Sequence, residues 1–215
     1  MVYEPFEKHA KRYDAWFDRF PGNQLFPIEV ACLKRAVQGV PRPWLEVGVG
    51  TGRFAQALGI DEGVDPAASA LDVAKARGIR IKQGAAESLP YPEASFGGVF
   101  MIITLCFLDD PLTGIRECCR VLRDDGKFVL GMVPADSPWG HWYGQRKEAG
   151  HLFYSEAKFF TIMEAQKLVE KAGFRIEAVW SSLFVPPDQN SYPFSEPRGG
   201  IAPNASFVVM RAARL

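Results

Sequence analysis

Leu45-Glu46-Val47-Gly48-Val49-Gly50-Thr51-Gly52-Arg53-Phe54-Ala55 is a short apolar run carrying one acid, then a loop with glycine at every second position, then the start of a helical pattern. Glycine has no Cβ and tolerates positive φ, so such a loop lets the backbone pass close to a ligand. Strand, glycine loop and helix in that order place a nucleotide-type cofactor site at the carboxyl edge of a parallel sheet. The spacing separates two ligand classes. Dinucleotide sites use G-x-G-x-x-G, whose third glycine lets helix and strand pack beside a pyrophosphate. Gly48 and Gly50 fit that template, but Arg53 stands in the third position. The pattern here is E-x-G-x-G-x-G. A carboxylate at Glu46 suits a ligand whose near end is a cationic amine, and it repels a pyrophosphate.

Outward from this loop the chain alternates. Strands are expected over 44–47, 63–64, 80–82, 98–105 and 127–133, with helices over 53–58, 67–77 and 112–122. Such alternation implies right-handed βαβ units and a parallel sheet covered on both faces. Two helices precede it. The first, 6–20, carries Tyr13, Trp16, Phe17 and Phe20 at helical spacing and stops at Pro21-Gly22; the second, 27–38, has Pro27 in its first turn. Near the other end, Thr161-Ile162-Met163-Glu164 is a capping box that opens a helix to about residue 171, with Gly173 as its stop signal. Strands 175–184 and 207–211 follow, joined by a proline-rich loop with no helix between them, so they should pair antiparallel.

Asp65 lies 13 residues after Gly52, in Gly63-Val64-Asp65-Pro66 at the end of the second strand. An acid there reaches a ribose, its two oxygens accepting both hydroxyl protons. The same residue before Pro66 also reads as a helix N-cap. Next come Gln83-Gly84-Ala85-Ala86-Glu87-Ser88-Leu89-Pro90-Tyr91-Pro92 and an apolar run, 98–108, followed by Asp109-Asp110-Pro111. Over about residues 44–133 the chain resembles the class I S-adenosylmethionine (SAM)-dependent methyltransferases, in the type 11 subgroup. The resemblance implies SAM as cofactor and an α/β fold: a Rossmann-like seven-stranded sheet with helices on both faces and the last strand antiparallel.

It also implies roles. Glu46 with Gly48, Gly50 and Gly52 would hold the methionine end, and Asp65 with Pro66 the ribose. Ala85, Ala86 and Glu87 would border the adenine, Ile102, Ile103 and Thr104 the reacting centre, and Tyr13 would close over the methionine end. The family stretch G-D-A-E-x-L-P-F has an acid where this chain has Ala85, which leaves backbone groups around Ala86 to serve. Glu87 reads equally well as a solvated loop acid. Enzymes that methylate exocyclic amines of bases or glutamine often carry Asn/Asp-Pro-Pro-aromatic after the fourth strand. Ile102-Ile103-Thr104-Leu105 stands there instead and disfavours that subclass.

At 215 residues the chain suits one domain. Its expected parts are an N-terminal helical cap (1–40), a cofactor-binding core (44–133), a lid insertion (137–160) and a C-terminal helix with an antiparallel strand pair (161–215). Lys+Arg and Asp+Glu are both 25, so no net basic field draws nucleic acid or anionic lipid. The run 98–108 is short of the roughly 18–20 residues that span a bilayer. Residues 1–8 carry acids and no apolar stretch, which speaks against a secretory signal and for a cytoplasmic protein. The four cysteines include no C-x-x-C and the three histidines are scattered, so no metal site is expected. Cys32, Cys118 and Cys119 fall at helical core positions, while Cys106 could face a substrate. The thiols invite comparison with arsenite methyltransferases, although the spacing differs.

The lid segment is rich in aromatics, and its His141, His151 and Tyr143 are candidate bases for an amine or hydroxyl acceptor. The reading is methyl transfer from SAM to a small-molecule acceptor at N, O, S or a metalloid, by a monomer or a homodimer. A non-catalytic SAM-binding protein is the main alternative. A nicotinamide-dependent oxidoreductase is the other, and Glu46 and Arg53 oppose it.

Overall fold

Strands β1 (Trp44–Val47), β2 (Glu62–Asp65), β3 (Arg80–Gln83), β4 (Phe96–Ile102) and β5 (Leu122–Met132) run parallel in the computed structural model, which describes residues 3–215. The last long strand, β8 (Phe207–Arg214), inserts antiparallel between β5 and β6 (Phe174–Ser182). A two-residue strand, β7 (Arg198–Gly199), adds to the outer edge of β6. The order is therefore β3-β2-β1-β4-β5-β8-β6-β7, eight strands instead of the expected seven. The additional strand sits in the proline-rich loop and is too short to carry an alternating pattern, so nothing in the sequence announces it.

The helices are α1 (Glu4–Asp14), α2 (Gly22–Ala36), α3 (Arg53–Leu58), α4 (Ala68–Ala76), α5 (Pro111–Val121), α6 (Pro138–Glu148) and α7 (Ile162–Lys171). The capping box of α7 forms as expected, with Thr161 Oγ1 accepting from the Glu164 N–H and the Glu164 carboxylate accepting from the Thr161 N–H. Three expectations change. The first helix ends at Asp14 and continues only as a 3-10 turn, Ala15–Asp18. The second begins at Gly22, because the turn through 19–25 already closes with Asn23 N–H to Arg19 O and Leu25 N–H to Pro21 O; Pro27 therefore lies inside it. The expected lid contains the eleven-residue helix α6, whose Trp139 is 1% exposed and donates from Nε1 to the Val185 carbonyl. That end of the segment is core.

Two apolar cores flank the sheet, and β4 feeds both by strict alternation. Val99 and Met101 join α5 and α7 on one face, while Phe100 and Ile102 join α2 and α3 on the other. β1 alternates in the same way, with Leu45 and Val47 on the α5 face and Trp44 on the α2 face. The period of two places Glu46 on the α2 face with Trp44.

Charge fixes α1 across the glycine loop. Asp14 accepts from Arg53 Nε (2.9 Å) and Nη2 (2.8 Å) and from Arg77 Nη2 (2.8 Å), while Arg77 Nη1 donates to the Thr51 carbonyl (2.7 Å). Asp18 takes further hydrogen bonds from Arg53. Glu7 accepts from the backbone N–H and hydroxyl of Ser69 in the first turn of α4. Against a desolvation that raises it, hydrogen bonds from Arg53 and Arg77 hold the Asp14 carboxyl down at about 2. The carboxylate is thus ionised and doubly paired at neutral pH.

Asp14→Ala should leave two arginines without their shared partner and free α1. Hydrogen exchange over residues 4–14 should rise at least ~10-fold, which corresponds to about 1.4 kcal/mol of local opening, with the sheet amides unchanged. Lys8→Ala, which removes the exposed Lys8–Glu4 pair, should leave exchange over the same residues and the melting temperature unchanged. Equal exchange in wild type and Asp14→Ala would deny the clamp its role.

Candidate functional site

A cavity of about 280 Å³ opens at the carboxyl ends of β1, β2 and β4, under the N-terminal segment. Its floor is the glycine loop, where Gly48, Gly50 and Gly52 all have positive φ (73°, 50° and 79°). Their reasons differ. A Cβ on Gly48 would collide with the Thr104 side chain, and one on Gly52 would come to 3.0 Å from the Ala74 Cβ. On Gly50 it would meet nothing within 4 Å and would project toward open space. At Gly48 and Gly52 the missing Cβ is required by packing, whereas at Gly50 it leaves open space, and Gly48 and Gly50 both line the cavity. Gly52 is the N-cap of α3 and packs against α4, between Thr51 and Arg53 of the cavity wall.

Two of the acids that line this space are buried. Glu46 is 1% exposed, and its Oε2 is shielded from solvent with no hydrogen-bond partner. Burial, and then the nearby Asp65, hold its carboxyl well above the usual range. Asp65 is 8% exposed; its Oδ2 accepts from the Gly50 N–H and its Oδ1 from the Ala67 N–H, both at 2.9 Å. Burial pushes its carboxyl up to about 6, against the pull of those two N–H groups. It bridges the loop to the turn before α4. The helix N-cap is Ala67, so the capping reading of Asp65 does not hold.

β4 ends at Ile102, and the chain turns through Ile103 at φ 52°. A β-branched residue in the left-handed region costs on the order of 1–3 kcal/mol, and such outliers cluster at functional sites. Neighbours hold it there: the Ile103 N–H donates to the Gly131 carbonyl at 2.8 Å, and Thr104 Oγ1 lies 3.1 Å from the Ile102 carbonyl and 3.3 Å from that of Gly48. Ile102, Ile103 and Thr104 line the cavity with Pro66, Ala85, Ala86 and Glu87. Glu87 is no free loop acid, since its Oε1 accepts from the N–H groups of Asp109 (3.1 Å) and Asp110 (3.2 Å). Tyr13 lines the cavity too. Phe6 and Phe107 join it there, with Phe6 edge-on to both at 5.1 and 5.0 Å between ring centroids.

Tyr13, Phe17, Ile103 and Phe107 also wall a second chamber of about 50 Å³. Tyr143, Tyr154 and Cys106 line it, and so does Glu29 of α2. Glu29 is 4% exposed; no hydrogen bond or ion pair to its carboxylate is found among the described residues, and Oε2 is fully shielded. Burial lifts its carboxyl to about 8. Sequence reading missed it, although a lone acid within the buried face made by Leu25, Ile28, Cys32 and Leu33 is a visible break in pattern.

Of the three candidate bases only Tyr143 reaches this chamber. His141 is corrected: on α6 it lies two residues from both Trp139 and Tyr143, hence on the opposite side of the helix, and it is exposed. His151 is corrected as well. Its ring stacks on Tyr154 at 4.7 Å, its Nδ1 accepts from the Phe153 N–H, and it lines neither space. The thiols do not converge either: Cys118 is in the α5 core, Cys32 in the α2 core, and only Cys106 borders the chamber. Among the described residues no helix is long and apolar enough to cross a membrane.

Residues 45–130 match the family model described as a methyltransferase domain. An uncharacterised protein of Mycobacterium tuberculosis is 38% identical over 205 residues, covering 95% of this chain and 72% of its own. A demethylmenaquinone methyltransferase of Deinococcus radiodurans is 32% identical over 151 residues, 62% of this chain and 60% of that one. Among solved structures, a SAM-dependent methyltransferase from Thermotoga maritima, described as a possible histamine N-methyltransferase, is similar at a TM-score of 0.90 and 32% identity, over 100% of both chains.

Glu29 makes a stability prediction. Its folded value of about 8 exceeds the ordinary value near ~4.3, so the folded chain binds the extra proton between them and loses stability as pH rises through that window. Glu29→Gln should therefore raise the melting temperature more at pH 8 than at pH 5, at about 2–4 °C per kcal/mol relieved. Equal gains at both pH values in thermal scans would contradict the buried, unpartnered state.

Proposed function

We propose, because the chain belongs to the class I SAM-dependent methyltransferases, that it moves the methyl group of SAM onto a small molecule seated beyond Tyr13 and Ile103. The carrying observation is Glu46, a fully buried carboxylate with an orphaned oxygen at the foot of a glycine loop. Family and fold imply SAM as the cofactor, and the residues fit it. Glu46 offers a counter-charge to an amino-acid ammonium, Asp65 offers its free lone pairs to a ribose, and Gly50 leaves space for close approach. Ala85, Ala86 and Glu87 border the adenine, and Ile102 to Thr104 the reacting end. A pyrophosphate would face Glu46 and Asp65 together, which counts against a nicotinamide cofactor.

SAM supplies a methyl group already activated on a sulfonium, so the chain's part is alignment and exclusion of water. Phe6, Tyr13 and Phe17 provide an apolar cover, and the Asp14 clamp holds that cover in place. In this reading residues 44–133 form the cofactor core, 161–215 complete the sheet, and 1–40 with 137–160 enclose the acceptor. Tyr143 is the one remaining candidate base from the original three.

Calorimetry tests the reading directly. SAM and S-adenosylhomocysteine should bind, and NAD weakly or not at all; tighter binding of NAD would overturn the assignment. Asp65→Ala should lose about 1.5–3 kcal/mol of cofactor affinity if its charged hydrogen bonds are made. Gly50→Val should abolish binding with far-UV circular dichroism and cooperative melting retained, since its side chain would fill the cradle. Survival of binding in that variant would mean the loop does not approach the ligand.

A further inference from the structure

We propose that the chamber around Glu29 is the acceptor subsite and takes a small primary or secondary amine, whose ammonium group Glu29 binds. The inference rests on the methyltransferase reading above and adds the class of acceptor. A carboxylate in the buried face of α2 is costly unless something pairs with it, and a hydrophobic residue of similar volume would be more stabilising there. Even the half-buried Asp14 has two arginines, and the buried Asp65 accepts from two backbone N–H groups. Among the described residues Glu29 has neither hydrogen bond nor ion pair, yet it borders a cavity that abuts the cofactor site.

The surroundings select a cation. Among the described residues no lysine or arginine lines the chamber. Burial raises Tyr13, Tyr143 and Tyr154 above their ordinary values and Cys106 to about 12, so none of these offers a competing negative charge near neutral pH. Three tyrosine rings beside one carboxylate suit an ammonium, which ring faces attract through their quadrupoles. An anionic acceptor would find no cationic partner in the chamber and would oppose the ionisation of Glu29 that an ammonium favours. At about 50 Å³ the chamber accommodates the charged end of a small amine, with Tyr13, Phe17, Ile103 and Phe107 forming the shared boundary toward the methyl donor.

The same carboxylate closes the proton balance. An ammonium nitrogen has no lone pair, so Glu29 takes one N–H proton and becomes a carboxylic acid. The freed lone pair on nitrogen forms the new N–C bond to the methyl carbon as the C–S bond breaks, and its electron pair stays on sulfur. The positive charge passes from sulfonium to the methylated ammonium, and Glu29 gives up its proton to water when the next ammonium pairs with it.

The test uses the full chain, SAM or S-adenosylhomocysteine, and matched pairs of probes: ethylamine, propylamine and phenethylamine against the alcohols of the same length. With the protein saturated in S-adenosylhomocysteine, at least one amine should bind ~100-fold more tightly than its alcohol, and with SAM it should appear N-methylated by mass spectrometry. Glu29→Gln should reduce that preference at least 30-fold, as a rough scale for a lost charge-assisted pair, while cofactor affinity stays within about twofold. Cys106→Leu, which narrows the chamber without touching the charge, should weaken amine binding and likewise leave the cofactor alone. Amines bound no better than alcohols, no amine bound at all, or a preference retained in Glu29→Gln would each overturn the subsite. Failure to bind SAM would instead strike the cofactor reading, so the two failures are told apart by one titration.

Discussion

The glycine loop rests on the Thr104 side chain, and it does so only because position 48 carries no Cβ. That contact locks the end of β1 over the end of β4, whose register pairs Glu46 with Phe100 and Val47 with Met101. On the other side Glu46 pairs with Gly63 and Val47 with Val64, and Gly63 in turn leaves room for Val49. Parallel strands bring their carboxyl ends to one edge, so fixing β1 against both neighbours brings Glu46, Asp65 and Thr104 around a single space. A slip of one residue would turn Glu46 to the α5 face and put Val47 in its place. The chemistry of the cavity is therefore set by backbone proximity before any polar side chain takes part.

Charge is distributed unevenly over that frame. The acid that holds α1 down is fully satisfied, and Asp65 and Glu87 at the cavity wall accept from backbone N–H groups, whereas Glu46 and Glu29 are short of partners. Glu46 and Glu29 each keep a buried oxygen with no hydrogen bond, and Ile103 between the two spaces holds a conformation that its branched side chain disfavours. Other shielded polar atoms without partners, on Tyr91, Arg123, Ser182 and Arg211, lie away from the cavities, but among the described residues the unpaired carboxylate oxygens are concentrated at these two spaces. Such concentration is the physical mark of a site whose missing interactions come from ligands.

Much of the frame was legible. β1 and α3 fall at the expected residues because an apolar run, alternate glycines and a restarted helical period mark both boundaries. The α7 cap was legible because Thr161 and Glu164 satisfy each other through local bonds alone. Other features depend on contacts that sequence does not display. The apolar run 98–108 hides the end of β4 at Ile102, since no residue type signals that Ile103 will turn left-handed. His141 looked like a candidate base while its segment read as loop; once 138–148 is helical, the period of 3.6 turns Tyr143 inward with Trp139 and His141 outward. Glu29 escaped notice for a related reason. One acid among apolar residues ordinarily marks the edge of a helix face, and only packing shows it in the middle.

Gly22 is a poor helix residue, yet it opens α2, and a Cβ there would strike the Trp16 carbonyl and indole. The indole is thereby pressed onto backbone at one side, while it lines the Glu29 chamber at the other. Trp139, by contrast, is sealed in the core, and Trp44 lies beneath the sheet against Phe100. The chain thus carries an intrinsic fluorophore in the wall of one cavity, packed against Gly22 and edge-on to Phe17. Emission from Trp16 reports the polarity and occupancy of that chamber without an attached dye, and Trp16→Phe supplies the blank against which the other four indoles are subtracted.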